Sequence, residues 1–268
     1  MEKAFKVLIF TDLDGSLLHR DTFKFDEIKD YLKQLISKGI FIIPNTSKTE
    51  KEILEFNHEL GSNLPFISEN GAAINGLDIL NKELPKELIL SREKDNLLNI
   101  FKNIAPSSLQ KKCKWISEMN KSNQSLIFGL KEENLKMALD RIYTIPLIFE
   151  GNKKEKKDLS NIIKKEGLYL QEGGRVTNLT DRVNKAKALQ VFVRFFKKNN
   201  KNIKIIAVGD NHNDLDMLKV SDFPCLVFND KFTLDEIPIN NLIISNKPSP
   251  EGWADVIKMA LVKLGYKV

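Results

Sequence analysis

Cysteine is scarce. The 268-residue chain has two, Cys113 and Cys225. Their separation fits neither a metal site nor a disulfide framework, so both read as buried small hydrophobes in a reducing cytoplasm. No apolar run approaches the length of about 20 residues that a bilayer demands, which excludes a membrane partner of the spanning kind. The opening Met1-Glu2-Lys3 runs at once into a short strand and lacks the apolar core and cleavage site of a signal peptide. Internal repeats and low-complexity linkers are absent. Aromatic residues do not interleave with a basic stripe as in single-strand binders, so no nucleic acid is expected. The net charge of +6 is carried by scattered lysines and by itself fits nucleic acid, an anionic substrate or only a Lys- and Asn-rich habit. The densest cluster, Lys153-Lys154-Glu155-Lys156-Lys157, reads as a solvated helix start.

What the chain does have is a strand that ends in two acids. Val7-Leu8-Ile9-Phe10 is a buried run of the parallel-sheet kind, and Thr11-Asp12-Leu13-Asp14-Gly15 follows it. In an open α/β sheet, ligands bind in the crevice beyond the carboxyl ends of the strands. Gly15 permits a sharp turn there. Two carboxylates so close repel each other and call for a hard cation, with Mg²⁺ the usual one.

The rest of the first segment alternates in the same manner. Asp26 reads as the N-cap of a helix reaching about Lys38, and Gly39 stops it. Ile40–Ile43 is a second strand, Thr49 caps a helix to about Leu60, and Leu64–Ser68 is a third strand. The βαβαβ order predicts a parallel sheet. The last third returns to this pattern. It has a helix from Asn184 to about Lys198, a strand Ile203–Val208, a short helix Asp214–Val220, a strand Phe223–Phe228 and a closing helix Pro250–Leu264. Between them the pattern is mixed. Strands are expected at Ser125–Leu130, Ile145–Phe149, Leu168–Glu172 and Val176–Leu179. Helices are expected at Arg92–Asn103, Glu132–Tyr143 and Glu155–Lys165. The fold class is therefore α/β, a doubly wound, mostly parallel core with an inserted α+β cap. Residues 1–80 and 180–268 would form the core, and 81–179 the cap.

Four polar groups fall at the ends of core elements. They are the pair Asp12 and Asp14, the hydroxyl of Thr46, Lys185 at a helix start, and Asp210 with Asp214. Strand ends of one parallel sheet lie side by side, so these groups can converge. The set suits phosphoryl transfer. Mg²⁺ held by Asp12 and Asp210 would neutralise phosphate oxygens. Asp12 would attack phosphorus and form an aspartyl-phosphate. Asp14 would protonate the leaving alcohol and later take a proton from water. Thr46 and Lys185 would hold the equatorial oxygens.

FTDLDGSLL, the Thr46 segment, the Lys185 helix and GDNHND resemble the four motifs of the haloacid dehalogenase-like phosphatases. The likeness covers nearly the whole chain. Within that superfamily the sequence is similar to the mannosyl-3-phosphoglycerate phosphatase branch, through NTSKT at 45–49, SENGAAI at 68–74, EGGRV at 172–176 and SPEGWADVI at 249–257. The resemblance implies a Mg²⁺-dependent phosphomonoesterase with a sheet-containing cap. Asp12 matches the nucleophile, Asp14 the acid/base, Thr46 and Lys185 the second and third motifs. Asp210 and Asp214 match the metal-binding acids, and Asp14 would give the metal its backbone carbonyl. Ser16 stands where Thr is more usual. Ala186 follows Lys185 where Gly or Asp is common, and Lys187 is a rival for the lysine role. The KAKAL register, which puts Ala188 and Leu189 in the core, favours Lys185.

The implied partner is a small phosphorylated sugar, mannosyl-3-phosphoglycerate or its glucosyl analogue. A general sugar phosphatase, a phosphomannomutase and a non-catalytic binder on the same scaffold are the alternatives. Expected substrate contacts are Ser47, Lys48, Glu69, Asn70, Gly173, Gly174, Arg175 and Asn213. Arg175 would clamp an acid group of the substrate, whereas Glu69 would line the pocket or brace the cap hinge. His212 reads as a loop residue and Trp253 as packing. His19 and His58 receive no role, and the oligomeric state is left open.

Overall fold

The computed structural model of the chain describes residues 5–173, 175–197, 202–230 and 238–266. The first segment runs through β1 (Lys6–Thr11), α1 (Lys29–Ser37), β2 (Phe41–Pro44), α2 (Glu50–Leu60), β3 (Phe66–Ser68), β4 (Ala73–Asn75), α3 (Leu77–Leu80) and β5 (Glu87–Ile89). The middle holds α4 (Lys94–Ile104), α5 (Ser107–Gln110), β6 (Cys113–Trp115), α6 (Lys121–Phe128), α7 (Glu132–Leu139), β7 (Ile145–Phe149), α8 (Lys153–Lys164), β8 (Tyr169–Glu172) and β9 (Thr177–Thr180). The last segment supplies α9 (Lys185–Lys197), β10 (Ile203–Gly209), α10 (Leu215–Lys219), β11 (Phe223–Leu226), β12 (Ile243–Ile244) and α11 (Glu251–Lys263).

Five strands form a parallel sheet in the order β12-β11-β10-β1-β2. Its apolar strands alternate between two buried faces, as a sheet covered on both sides requires. Val7, Ile9, Ile42, Ile206, Val208 and Cys225 join one core with Leu32 and Leu35 of α1, Phe56 of α2 and Trp253 and Val256 of α11. Leu8, Phe10, Ile43, Ala207 and Leu226 face the other way, onto Ala188, Leu189, Phe192 and Val193 of α9. This is the doubly wound arrangement. Neighbours of β1 come from opposite ends of the chain, β2 on one side and β10 on the other, so the strand order reverses at β1. That reversal places a crevice at its carboxyl end.

Local chemistry explains most element ends. Thr49 caps α2 with a reciprocal box, its Oγ1 accepting from Glu52 N and the Glu52 carboxylate accepting from Thr49 N. Gly61 closes that helix in the left-handed region, φ +71°. Asn184 Oδ1 accepts from Lys187 N at 2.8 Å at the start of α9. Trp253 is fully buried and its Nε1 donates to Thr11 Oγ1 at 2.9 Å, a packing role. Both cysteines are free and buried.

Several expectations fail. Asp26 caps nothing; it opens a one-turn 3-10 segment, Asp26–Ile28, with no side-chain cap. The third strand meets the parallel sheet only through the Asn45–Ile67 bridge, then pairs antiparallel with β4, and β5 completes a separate three-stranded sheet. Ser125–Leu130 is not a strand but the end of helix α6. Asn120 Oδ1 accepts from Asn123 N to start this helix, and Gly129 at φ +66° ends it. The helix expected to reach Tyr143 ends at Leu139. The strand expected to reach Phe228 ends at Leu226. In the middle, an antiparallel sheet β6-β7-β9-β8 has Leu147 and Leu179 packed on Leu97 and Phe101 of α4 and Leu159 and Ile163 of α8.

Candidate active site

β1 and β10 are parallel neighbours with Thr11 opposite Val208, and Asp12 N donates to Val208 O at 2.9 Å. The chain therefore leaves both strands at the same level, and Asp12 and Asp210 open side by side. The turn after β1 needs Gly15, at φ +83°; a Cβ there would lie 2.8 Å from Asp210 Oδ2. Ser16 Oγ donates to Asp210 Oδ1 at 3.0 Å, and Arg20 forms an ion pair with Asp210 Oδ2. Asp214 sits in the 3-10 turn that follows β10. Its Oδ2 accepts from Asp210 N at 3.1 Å and Asn211 N at 3.2 Å. Lys185, the first residue of α9, bridges the two ends of the set, with Nζ 2.8 Å from Asp12 Oδ1 and 2.7 Å from Asp214 Oδ1.

Carboxylate oxygens of Asp12, Asp210 and Asp214 all lie within 4.8 Å of one another, and all three residues are buried. Burial, then Asp214 and Asp12, push Asp210 up to about 7. Burial also raises Asp214, against the pull of Lys185. Crowded acids that resist ionisation in this way are the signature of a site short of positive charge. The donors are all oxygens, which suits a hard divalent cation. Burial works against the Lys185 ammonium, but Asp12 and Asp214 outweigh it and keep it charged.

The Asp14 carboxylate stands outside this cluster. It pairs with Lys48 Nζ at 3.0 Å, and Lys48 also reaches Glu52 Oε1 at 3.1 Å. Desolvation raises the Asp14 pKa, outweighing Lys48, which suits a group that must carry a proton. Asp12, Asp14, Ser47, Lys48, Gly173, Arg175, Asp210 and Asn213 all line one cavity of about 480 Å³. Thr46 lies fully buried behind Ser47, its Oγ1 accepting from Lys48 N at 3.4 Å. Asn70 opens instead on an adjoining cleft with Lys185 and His212. Glu69 lines neither cavity. Its carboxylate accepts from Ile142 N, Tyr143 N and Thr144 Oγ1 at 2.9, 3.1 and 2.6 Å, which makes it a brace between the first segment and the middle one. Arg175 donates to Phe128 O and Arg20 O and lies 5.1 Å over the Phe23 ring. Gly174 lies outside the described residues.

Sequence reasoning passed over Arg20, Arg141 and Asn178, all of which line the cavity that holds Asp12 and Asp14. Arg20 was within reach, six residues beyond Asp14 in the same loop. Arg141 and Asn178 carry no local signal; only the folding of the middle segment over the strand ends brings them in.

Residues 9–237 match the family profile of haloacid dehalogenase-like hydrolases, and the chain belongs to that family. It is a phosphatase within it. Among curated relatives, a glucosyl-3-phosphoglycerate/mannosyl-3-phosphoglycerate phosphatase of Persephonella marina is 30% identical over 94% of this chain and 96% of its own. A mannosyl-3-phosphoglycerate phosphatase of Pyrococcus horikoshii is 28% identical over 80% of this chain and 88% of its own. The fold matches the crystal structure of a Thermoplasma acidophilum protein at TM-score 0.68 and 14% identity, covering 95% of this chain and 98% of that one. It also matches the sucrose-phosphatase of Synechocystis, solved with sucrose and phosphate, at TM-score 0.62 and 13% identity, covering 98% and 100%. No described helix is long and apolar enough to cross a membrane.

Proposed function

We propose that this phosphatase is Mg²⁺-dependent and hydrolyses mannosyl-3-phosphoglycerate to mannosylglycerate and phosphate. The observation that carries the reading is the gathering of Asp12, Lys185, Asp210 and Asp214 from opposite ends of the chain around one point. Asp12, Asp210 and Asp214 would hold the ion, Asp14 adding its backbone carbonyl, and bound Mg²⁺ would supply charge neutralisation for the phosphate oxygens.

Asp12 Oδ1 is taken by Lys185, whereas Oδ2 has no hydrogen-bond partner among the described residues. A carboxylate oxygen of Asp12 attacks phosphorus, the ester P–O bond breaks, and Asp14 gives its proton to the departing alkoxide. Water then attacks the aspartyl-phosphate, Asp14 takes its proton, and the acyl P–O bond breaks to release phosphate. Lys185 and Thr46 steady the equatorial oxygens. Residues 81–179 act as the cap that selects the organic part of the ester. The glucosyl ester is the second reading, because the Persephonella relative is named for both sugars.

Phosphate release is measured on both sugar phosphoglycerates and on a generic aryl phosphate that lacks sugar and carboxylate, with Mg²⁺ and with chelator. Turnover of at least one glycosyl ester, lost on chelation, is expected. The Asp12→Asn variant should keep its melting temperature within a few degrees and lose turnover. Near wild-type rates in that variant would remove the nucleophile, and aryl phosphate hydrolysis without either glycosyl ester would remove the substrate.

A further inference from the structure

Arg141 is 6% exposed, yet it has no acidic ion-pair partner among the described residues. Its scaffold bonds are all to neutral groups. Nε donates to Ala138 O at 3.1 Å, and Nη1 donates to Ser47 O at 3.1 Å and Thr144 Oγ1 at 2.9 Å. Nη2 has no hydrogen-bond partner among the described residues, and it is not among the sealed, unsatisfied atoms of the interior. It therefore faces open space, and the space Arg141 lines is the cavity that holds Asp12 and Asp14. The Glu52 carboxylate is near enough to feel the charge of Arg141, but its oxygens are bonded to Lys48 and Thr49, so the guanidinium is buried with no acid bonded to it, which is costly. The cost falls when an anion arrives from outside to share its free edge.

The place of this edge limits what the anion is. Arg141 grips the carbonyl of Ser47, the neighbour of Thr46, so its guanidinium stands one residue away from the hydroxyl assigned to the phosphate. A second anionic group on the same small molecule, a few bonds from the phosphorus, would meet it. Three of the five N–H groups hold the guanidinium in place, and the two on Nη2 remain to donate to a carboxylate. The nearest acid in the wall, Glu52, is already engaged by Lys48 Nζ and by Thr49 N and Oγ1. The grip on Arg141 is firm: its own carbonyl accepts from Lys94 Nζ at 2.7 Å, and Glu69 braces the next three residues.

We infer that Arg141 is the specificity residue that receives the carboxylate of a phosphorylated hydroxy acid and rejects phosphate esters lacking one. This rests on the proposed reading of Asp12 as the group that meets phosphorus, and it is independent of which sugar the substrate carries. Arg175 and Arg20 line the same cavity, but both terminal nitrogens of Arg175 donate to carbonyls, leaving no free Nη as in Arg141, and Arg20 pairs with Asp210.

The test measures binding to the full-length Asp12→Asn protein with Mg²⁺, by calorimetry. The probes are 3-phosphoglycerate and glycerol 3-phosphate, which differ by a carboxylate against a hydroxymethyl. The acid should bind about ten- to a hundredfold more tightly, the range of a charged hydrogen bond. Adding Arg141→Gln should bring the ratio to within about threefold, while glycerol 3-phosphate binding stays near its former value. Arg141→Lys, which keeps the charge without the planar guanidinium, should retain part of the preference and serves if the Gln variant does not fold. A ratio near one in the parent, or a ratio that survives both substitutions, overturns the assignment. So does an equal loss for both probes, which would mark a purely structural arginine. An Arg141-dependent preference without turnover of any glycosyl phosphoglycerate would sink the substrate reading and leave this one standing.

Discussion

Single residues in this site are fixed by what surrounds them rather than by their type. Asp12 and Asp14 are two positions apart, yet one joins a buried cluster of acids and the other faces Lys48. Their chemistry diverges accordingly. Asp14→Asn should leave the fold intact and slow turnover by ~10²–10⁴-fold, the usual worth of a general acid/base, with the deficit smallest for esters whose alcohols leave easily. A rate within twofold of wild type would remove the role. Gly15 is equally constrained: alanine there would hold a φ near +83° and set a methyl 2.8 Å from Asp210 Oδ2. Gly15→Ala should cost about 1–3 kcal/mol in thermal or denaturant unfolding and also weaken Mg²⁺ binding, since Asp210 must move. For the thiols burial dominates, outweighing the pull of Lys156 on Cys113 and of Lys263 on Cys225. Burial raises Cys113 to about 11 and pushes Cys225 up as well, so neither should react with a thiol reagent at pH 8 until the protein unfolds.

Whole elements turn these residues into a site, and their legibility in the sequence follows how each is stabilised. Parallel strands are read easily because both faces are largely buried: Val7–Phe10 is apolar throughout, Ile203–Val208 is apolar except for Lys204, and both run into acids. Capped helices are also plain, as the Thr49–Glu52 box shows. Segment 125–130 misled because a short apolar run fits either period. Asn120 and Gly129 decide it, and they lie at its edges. The acids of the candidate site were legible because they directly follow β1 and β10. Arg141 was not, because its partner Ser47 is 94 residues away and nothing near 141 encodes the meeting. The Thr49 cap itself does two tasks, since its Oγ1 also donates to Met137 O at 2.9 Å across to α7. Thr49→Ala should therefore cost more than the ~1 kcal/mol of an ordinary cap. Thr49→Ser, which keeps both bonds, should restore most of it in the same unfolding assay.

At the scale of the molecule, the site is a place where the fold tolerates electrostatic stress. Three buried acids stand against Lys185 and Arg20, and Asp210 is held near pH 7 by burial and by its two neighbours. In the unfolded chain an aspartate titrates near about 3.9. Between those values the native state binds the proton and the unfolded state does not. Stability of the metal-free protein should therefore fall as pH rises through that window. A divalent cation that binds only the native cluster takes over the proton's task, and it does so best where the proton has already left. Melting curves at pH 5 and pH 7.5, each with chelator and with millimolar MgCl₂, should show a larger Mg²⁺ gain at the higher pH. Asp210→Asn should abolish most of that difference. A Mg²⁺ gain equal at both values, or larger at pH 5, would mean that the three acids are not what the ion binds.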